Sequence, residues 1–311
     1  MPQLSSSTLL STLQEQMLRI RILETRLQVL CDSGELAADL HFTKGQEAIA
    51  VGVCAALGEK DILVCHHRMI GWAVSKGIPL NLLVAELLGK ASGICGGLAG
   101  EMHMQAMEYG LAHSFQLVGT VVPVAAGVAW ALKNYKRNGG IAVSVFGDAA
   151  TANGQFHEGL NIAATQGLPL LLICENNHLA GNVRSEFYMP VPWVGERAKG
   201  YGIESASIDG NNVKAVLQIA QDAVNYVRRE SRPFLLECDT TRLGKHKQGM
   251  GDMRSKEEME LLALRDPLRD AVFAPGYRES LEAEIDQLIE EIQQEANPTL
   301  PILESEKGRS V

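Results

Sequence analysis

Three short, nearly continuous apolar runs, spaced by helix-period segments, constrain this chain more than any other feature. They are Ile141–Phe146, Leu168–Cys174 and Phe234–Cys238. A strand that faces water on one side alternates apolar and polar residues, whereas a strand without that alternation is covered on both faces. Between the runs, Gln155–Gln166 reads as a helix. So does Val213–Arg229, with Val213, Val216, Leu217, Ala220, Val224 and Val227 recurring at helical spacing. Buried strands alternating with helices predict an α/β fold, a mostly parallel sheet with helices on both faces.

The flanks are helical. Leu10, Leu13, Met17, Ile20, Leu23, Leu27 and Leu30 recur at three-and-four spacing and stop near Gly34, so residues 1–34 form an amphipathic arm. Residues 45–57 and 79–89 are two further helices, the second opened by Pro79. Gly89 to Gly110 is glycine-rich and strand-poor. It is either a flexible surface loop or a loop whose backbone must approach a ligand closely. Residues 255–311 read as a charged C-terminal extension, with helices at Glu257–Leu264 and Glu279–Glu295 and a polar tail. No repeat and no Pro/Ser-rich linker divides the chain, so residues 1–311 are expected to form one domain.

Composition excludes several classes. The 311 residues are 46% hydrophobic and 21% charged, which is globular rather than disordered. The net charge of −9 comes with no basic run, so nucleic acid is not an expected partner. Ser114 to Leu132 carries no charge, but Gly119, Pro123 and Gly127 break it, and it reads as a buried helix rather than a membrane span. No basic start followed by an apolar run marks a secretory signal. The six cysteines lack zinc-pair spacing and read as reduced thiols of a cytoplasmic protein.

Ligands of a parallel sheet bind beyond the carboxyl ends of its strands. Gly147-Asp148 follows the first run, Glu175-Asn176-Asn177 the second, and Asp239 with the segment to His246 the third. Asp148 and Asn177 lie one strand–helix–strand unit apart, on one sheet edge. A carboxylate and an amide oxygen suit Mg²⁺, which takes its remaining ligands from phosphate oxygens and water. The helix beginning between Ala150 and Gln155 turns free N–H groups toward the same place, so a diphosphate fits there. No G-x-G-x-x-G follows a strand, and no G-x-x-x-x-G-K-[ST] occurs.

Gly147-Asp148, Asn153-Gly154, Glu158, Asn161, Leu168-Pro169 and Glu175-Asn176-Asn177 resemble the thiamine-diphosphate signature, in which Gly-Asp-Gly is followed about thirty residues later by Asn-Asn. The wider chain resembles the alpha subunit of the thiamine-diphosphate-dependent decarboxylating component of 2-oxo acid and acetoin dehydrogenase complexes. Supporting stretches are Met17 to Arg21, Gly45-Gln46-Glu47-Ala48, His67-Arg68, Met102-His103, Val118-Gly119 with Pro123, Arg242 with His246, and Asp266-Pro267. The resemblance covers roughly residues 13 to 290.

The resemblance implies a thiamine-diphosphate-binding fold and a role for each matching residue. Asp148 and Asn177 would hold Mg²⁺, with the carbonyl of Leu179 completing the protein ligands. Arg68 would bind the diphosphate, with His67 and Gly147 beside the cofactor and Ala149 and Ala150 offering backbone N–H groups. Val118 would wedge between the cofactor rings. His246 and His103 would orient the oxo acid and move protons. Glu158 and Asn161, on the helix after the metal loop, would serve packing or support the residues that touch the cofactor, rather than catalysis. The implied reaction is decarboxylation of a small 2-oxo acid and transfer of the unit to a lipoyl carrier, with a lipoyl acyltransferase as partner. The alternative is a two-carbon carboligase with an aldehyde or ketone acceptor.

The glutamate that acts on the aminopyrimidine ring sits, in the resembled family, in a second α/β domain. No such domain can be placed in this sequence, so a beta subunit is implied, in a heterotetramer. Four departures stand out. Ala149 replaces a usual Gly, which would raise the prospect of an inert scaffold if the position needs positive φ. His67 stands at a usual Tyr, and Glu101 adds a carboxylate expected near the substrate entrance. Lys247 to Asp252 replaces a serine-bearing phosphorylation loop.

Overall fold

A computed structural model describes residues 6–36 and 38–297. The predicted tail beyond residue 297 and the first five residues of the arm lie outside the described residues. The chain begins with α1 (Ser6–Ser33), α2 (Glu47–Ala56), β1 (Ile62–His66), α3 (Ile70–Ser75), α4 (Leu80–Leu87) and β2 (Leu111–Phe115). It continues with α5 (Val121–Ala131), β3 (Ala142–Gly147), α6 (Gly154–Thr165) and β4 (Leu170–Asn176). A short pair follows, β5 (Leu179–Ala180) and β6 (Val183–Arg184), then α7 (Val194–Lys199) and β7 (Glu204–Asp209). The last elements are α8 (Val213–Glu230), β8 (Phe234–Asp239), α9 (Lys256–Ala263) and α10 (Tyr277–Gln293).

Six strands form one sheet in the order β2-β1-β3-β4-β8-β7, and every pairing in it is parallel. β5 and β6 form a separate antiparallel pair. The three apolar runs are β3, β4 and β8. Their side chains divide by period two between the faces. Val143, Val145, Leu171, Ile173 and Leu236 pack on one side with Leu23, Ile49, Val216 and Ile285, which come from α1, α2, α8 and α10. Ala142, Phe146, Leu170, Leu172 and Leu235 pack on the other with Val122, Phe156, Leu160 and Val194, from α5, α6 and α7. The uncharged segment 114–132 splits into the end of β2, a turn and α5, and no described helix is long and apolar enough to cross a membrane.

The glycine-rich stretch is pinned from beneath. Glu86 on α4 is buried, and its two carboxylate oxygens accept N–H bonds from Cys95, Gly97, Ala99 and Gly100 at 2.7–3.0 Å. One carboxylate thus organises a segment that has no ladder of its own.

The strand order locates the ligand crevice. The chain leaves β1 toward β2 on one side, and leaves β3 toward β4 on the other. The topological switch therefore lies between β1 and β3, and ligands of such sheets bind beyond the strand ends at that point.

Candidate active site

A cavity of about 510 Å³ opens at that switch. Its wall takes His67 and Arg68 from the end of β1, Val118 from the β2–α5 loop, and Gly147, Asp148, Ala149 and Ala150 from the end of β3. Asn177 and Leu179 come from beyond β4, and His246 from beyond β8. His103 stands apart. It is exposed, it does not line the cavity, and its ring lies 6.2 Å from that of His113. Glu158 and Asn161 are exposed on α6 rather than packed.

Asp148 is 1% exposed. Its Oδ2 accepts the Tyr188 hydroxyl at 2.5 Å, while its Oδ1 has no partner among the described residues. Burial pushes its pKa above the ordinary carboxylate value. A buried, unmatched carboxylate oxygen is costly unless something positive meets it. Asn177 is fixed across the cavity floor. Its Nδ2 donates to Gln46 Oε1 at 2.9 Å, and its Oδ1 accepts the Leu179 N–H at 3.2 Å. Two hard oxygens and the nearby Leu179 backbone make a donor set that fits a Mg²⁺ ion.

Arg68 is 3% exposed and, among the described residues, pairs with no carboxylate. Its guanidinium donates to the carbonyls of Phe42 and His246. Burial draws its pKa below the usual arginine value, opposed by the charges of Glu175, Glu101 and Glu24. A guanidinium so placed keeps N–H groups for a phosphate. Behind it, the Arg68 N–H donates to His66 Nδ1 at 3.0 Å, which puts the proton of His66 on Nε2. That nitrogen meets Glu175 Oε2 at 3.0 Å, and the Trp72 indole donates to Glu175 Oε1 at 2.9 Å. Glu175 is thus an anchor for β1 and α3.

Three imidazoles crowd one side of the cavity. The ring centroids of His41 and His67 are 4.4 Å apart, those of His41 and His246 5.2 Å, and those of His67 and His246 5.8 Å. Burial, reinforced by the Arg68 charge, pulls His246 down to about 4 and His41 to about 3. Burial and the His66 ring lower His67 as well. All three are neutral at neutral pH. Glu101 is not at the entrance. It lies buried behind His41, accepting the His41 N–H at 3.0 and 3.1 Å and meeting His41 Nδ1 at 3.1 Å. Burial raises Glu101 well above its usual pKa, against the pull of the Arg68 charge.

Val118, 45% exposed, is held by a link from the next layer. Asn153 caps α6 by accepting the Gln155 N–H at 2.9 Å, and its Nδ2 donates to the Val118 carbonyl at 2.9 Å. Gly119 makes this approach possible. Its φ is +92°, and a Cβ there would stand 2.8 Å from the Asn153 Cβ. Ala149 needs no such freedom. Among the described residues other than glycine, positive φ occurs at Arg137, His178 and Ser231, so Ala149 carries no left-handed strain.

Residues 15–300 match the family model described as "Dehydrogenase E1 component". The chain belongs to that family. It is a family of thiamine-diphosphate-dependent enzymes. The alpha subunit of acetoin:2,6-dichlorophenolindophenol oxidoreductase from Bacillus subtilis (strain 168) is 36% identical over 235 residues, covering 76% of this chain and 70% of the relative. The pyruvate dehydrogenase E1 component subunit alpha of Zymomonas mobilis is 36% identical over 288 residues, covering 90% of this chain and 80% of the relative. The acetoin oxidoreductase alpha subunit of Cupriavidus necator is 30% identical over 303 residues, covering 94% and 90%.

Sequence reading gave no site role to His41, which lines the cavity, or to Gln46 and Tyr188, which stand behind it. Gln46 and Tyr188 hold the two oxygen donors from outside the strands. Neither carries a pattern of its own. Gln46 stood in plain view beside Glu47, and its position just before a helix was the available signal.

Proposed function

We propose that this chain is the alpha subunit of a dehydrogenase of the pyruvate/acetoin type that decarboxylates a small 2-oxo acid, using thiamine diphosphate and Mg²⁺. The observation that carries the proposal is the unpartnered, buried Asp148 Oδ1 at the sheet's switch point, facing a cavity shared with Asn177 and Arg68. Asp148, Asn177 and the Leu179 carbonyl would hold the metal. Arg68, His67, Gly147 and the N–H groups of Ala149 and Ala150 would hold the diphosphate, and Val118 would support the cofactor's bend.

Thiamine diphosphate, when bound, supplies the electron sink for decarboxylation. His246 is neutral, so it can accept or donate a proton at its ring nitrogen as the oxo acid reacts. His103 keeps a role at the substrate side only if a partner or a loop shift carries it inward.

A beta subunit would supply the pyrimidine-side domain and its glutamate, in a heterotetramer. The alpha-subunit names of the relatives support this, as does a rim on which Leu117 and Val118 are 69% and 45% exposed. The acyl or hydroxyalkyl unit would pass to a lipoyl carrier on an acyltransferase. Oxidoreductase and dehydrogenase names favour that acceptor over the aldehyde or ketone of a carboligase. The cytoplasm suits six unpaired thiols.

The test is made on the chain co-expressed with its beta-type partner. Mg²⁺ with thiamine diphosphate should raise the melting temperature, and Asp148→Ala should abolish the shift. Products from pyruvate, a branched 2-oxo acid and acetoin then identify the substrate. Absence of any cofactor-induced shift in the wild-type complex would overturn the reading.

A further inference from the structure

The three-imidazole group is arranged for more than hydrogen bonding. One ring nitrogen from each of His41, His67 and His246 lies within 4.8 Å of the other two. In a tetrahedral zinc site with Zn–N bonds of about 2.0–2.1 Å, ligand nitrogens stand about 3.3 Å apart. Small ring rotations close that difference. The rings meet at 57°, 80° and 78°, tilted or edge-on, so they surround a point rather than stack.

Two independent observations point to a ligand. His246 Nδ1 is buried without a hydrogen-bond partner among the described residues. Among the described residues, the His67 ring contacts other imidazoles and nothing that hydrogen-bonds to it. A buried imidazole nitrogen left unmatched, as His246 Nδ1 is, is costly unless something occupies it, and the half-buried His67 ring lines the same cavity. His41 adds the support that metal-bound histidines use. Its Nδ1 is engaged by the Glu101 carboxyl group at 3.1 Å, which fixes the ring and leaves Nε2 free.

We propose that, in the cofactor-free chain, His41, His67 and His246 form a binding site for one divalent transition metal ion, of the zinc class, separate from the oxygen donors of Asp148 and Asn177; the ion would occupy the His67 and His246 rings that serve cofactor and substrate, so the two occupancies exclude each other. Imidazole suits zinc, whereas carboxylate and amide oxygens suit magnesium, so the two donor sets in one cavity sort the ions by softness. Three protein ligands leave one coordination position open to the cavity, for water or an anion. All three imidazoles are held neutral in the protein, so binding displaces no proton from them. Arg68 and Lys247 add positive charge beside the site. Asp39, paired with Lys247 at 2.5 Å, offsets part of it.

The full-length chain, freed of metal by a chelator and without thiamine diphosphate or substrate, is titrated with Co²⁺ as a spectroscopic substitute for Zn²⁺. One equivalent should bind with the intense visible bands of tetrahedral cobalt and be displaced by Zn²⁺. His67→Tyr and His246→Gln should each weaken binding more than about tenfold, and Glu101→Gln should weaken it by about tenfold. Asp148→Asn should leave it in place. X-ray absorption of the zinc-loaded wild type should count three imidazole ligands, a readout that depends on no variant folding. Only weak octahedral bands, fewer than three imidazoles, or loss of the signal in Asp148→Asn would each overturn the site. Because neither cofactor nor substrate is present, such a failure leaves the thiamine reading untouched.

Discussion

Glu24 shows how a single buried residue sets a pH response. It lies on α1, 2% exposed, with Oε1 accepting the Thr43 N–H at 2.7 Å and Oε2 unpartnered. Burial, with the Glu47 charge, pushes its pKa from 4.5 up to about 8. The folded chain therefore holds this proton in a range where the unfolded chain has released it. Its contribution to stability is complete below about pH 4.5 and is lost as pH rises toward about 8. The slope is at most about 1.4 kcal/mol per pH unit. Glu24→Gln keeps an acceptor for Thr43 and removes the titration. Denaturant unfolding of both proteins across that window should show the fall in wild type and a flatter curve in the variant. Parallel curves would mean that Glu24 does not titrate there. At this scale, legibility followed position. Asp148 and Asn177 could be found because they follow apolar runs. The partners of Glu24, Glu86, Glu101 and Glu175 could not, since they are set by tertiary approach: Glu175 meets His66 and Trp72 from more than a hundred residues away in sequence.

Helix caps separate what stabilises an element from what shapes the site. Asn212 caps α8 by accepting the N–H groups of Lys214 and Ala215 at 3.1 and 3.2 Å. Asn153 caps α6 and also ties down Val118. Replacing either by alanine should cost about 1 kcal/mol of stability. Asn153→Ala alone should also weaken thiamine diphosphate binding, because the loop carrying Val118 loses its tether. Thermal midpoints and cofactor titration of the two variants check this, and equal affinities would show that the tether is idle. The elements themselves differed in legibility for a related reason. β3, β4 and β8 are central or near-central strands buried on both faces, and their bounds fell within two residues of the apolar runs. β7 is an edge strand, Glu204–Asp209, with three of its six residues exposed and no apolar run to mark it. β2 occupies the other edge with the mixed stretch LAHSF. Edge strands are recruited by their neighbour's unpaired N–H and C=O groups, which a one-dimensional pattern does not contain.

The whole molecule is held shut by its two outer helices. α10 lays Leu281, Ile285, Ile289 and Ile292 into the same core cluster as Leu18, Leu23 and Leu27 of α1, each at most 5% exposed. Burying four such side chains contributes on the order of 6–12 kcal/mol, an upper estimate that is still comparable with a domain's entire stability. The ion pairs across the seam, Arg19–Glu284 at 2.7 Å and Arg26–Asp286 at 2.6 Å, are partly exposed and add at most about 1 kcal/mol each. Burial decides the matter, and it argues that the terminal helices are part of one cooperative unit rather than detachable arms. The chain should unfold in a single thermal transition. A version ending before Tyr277 should lose near-ultraviolet circular dichroism and cooperative melting, because the apolar faces of α1 and α4 that α10 covers would be left exposed. If that shortened chain still melted cooperatively within a few degrees of the full one, α10 would be an appendage, and the one-domain reading of this protein would have to give way.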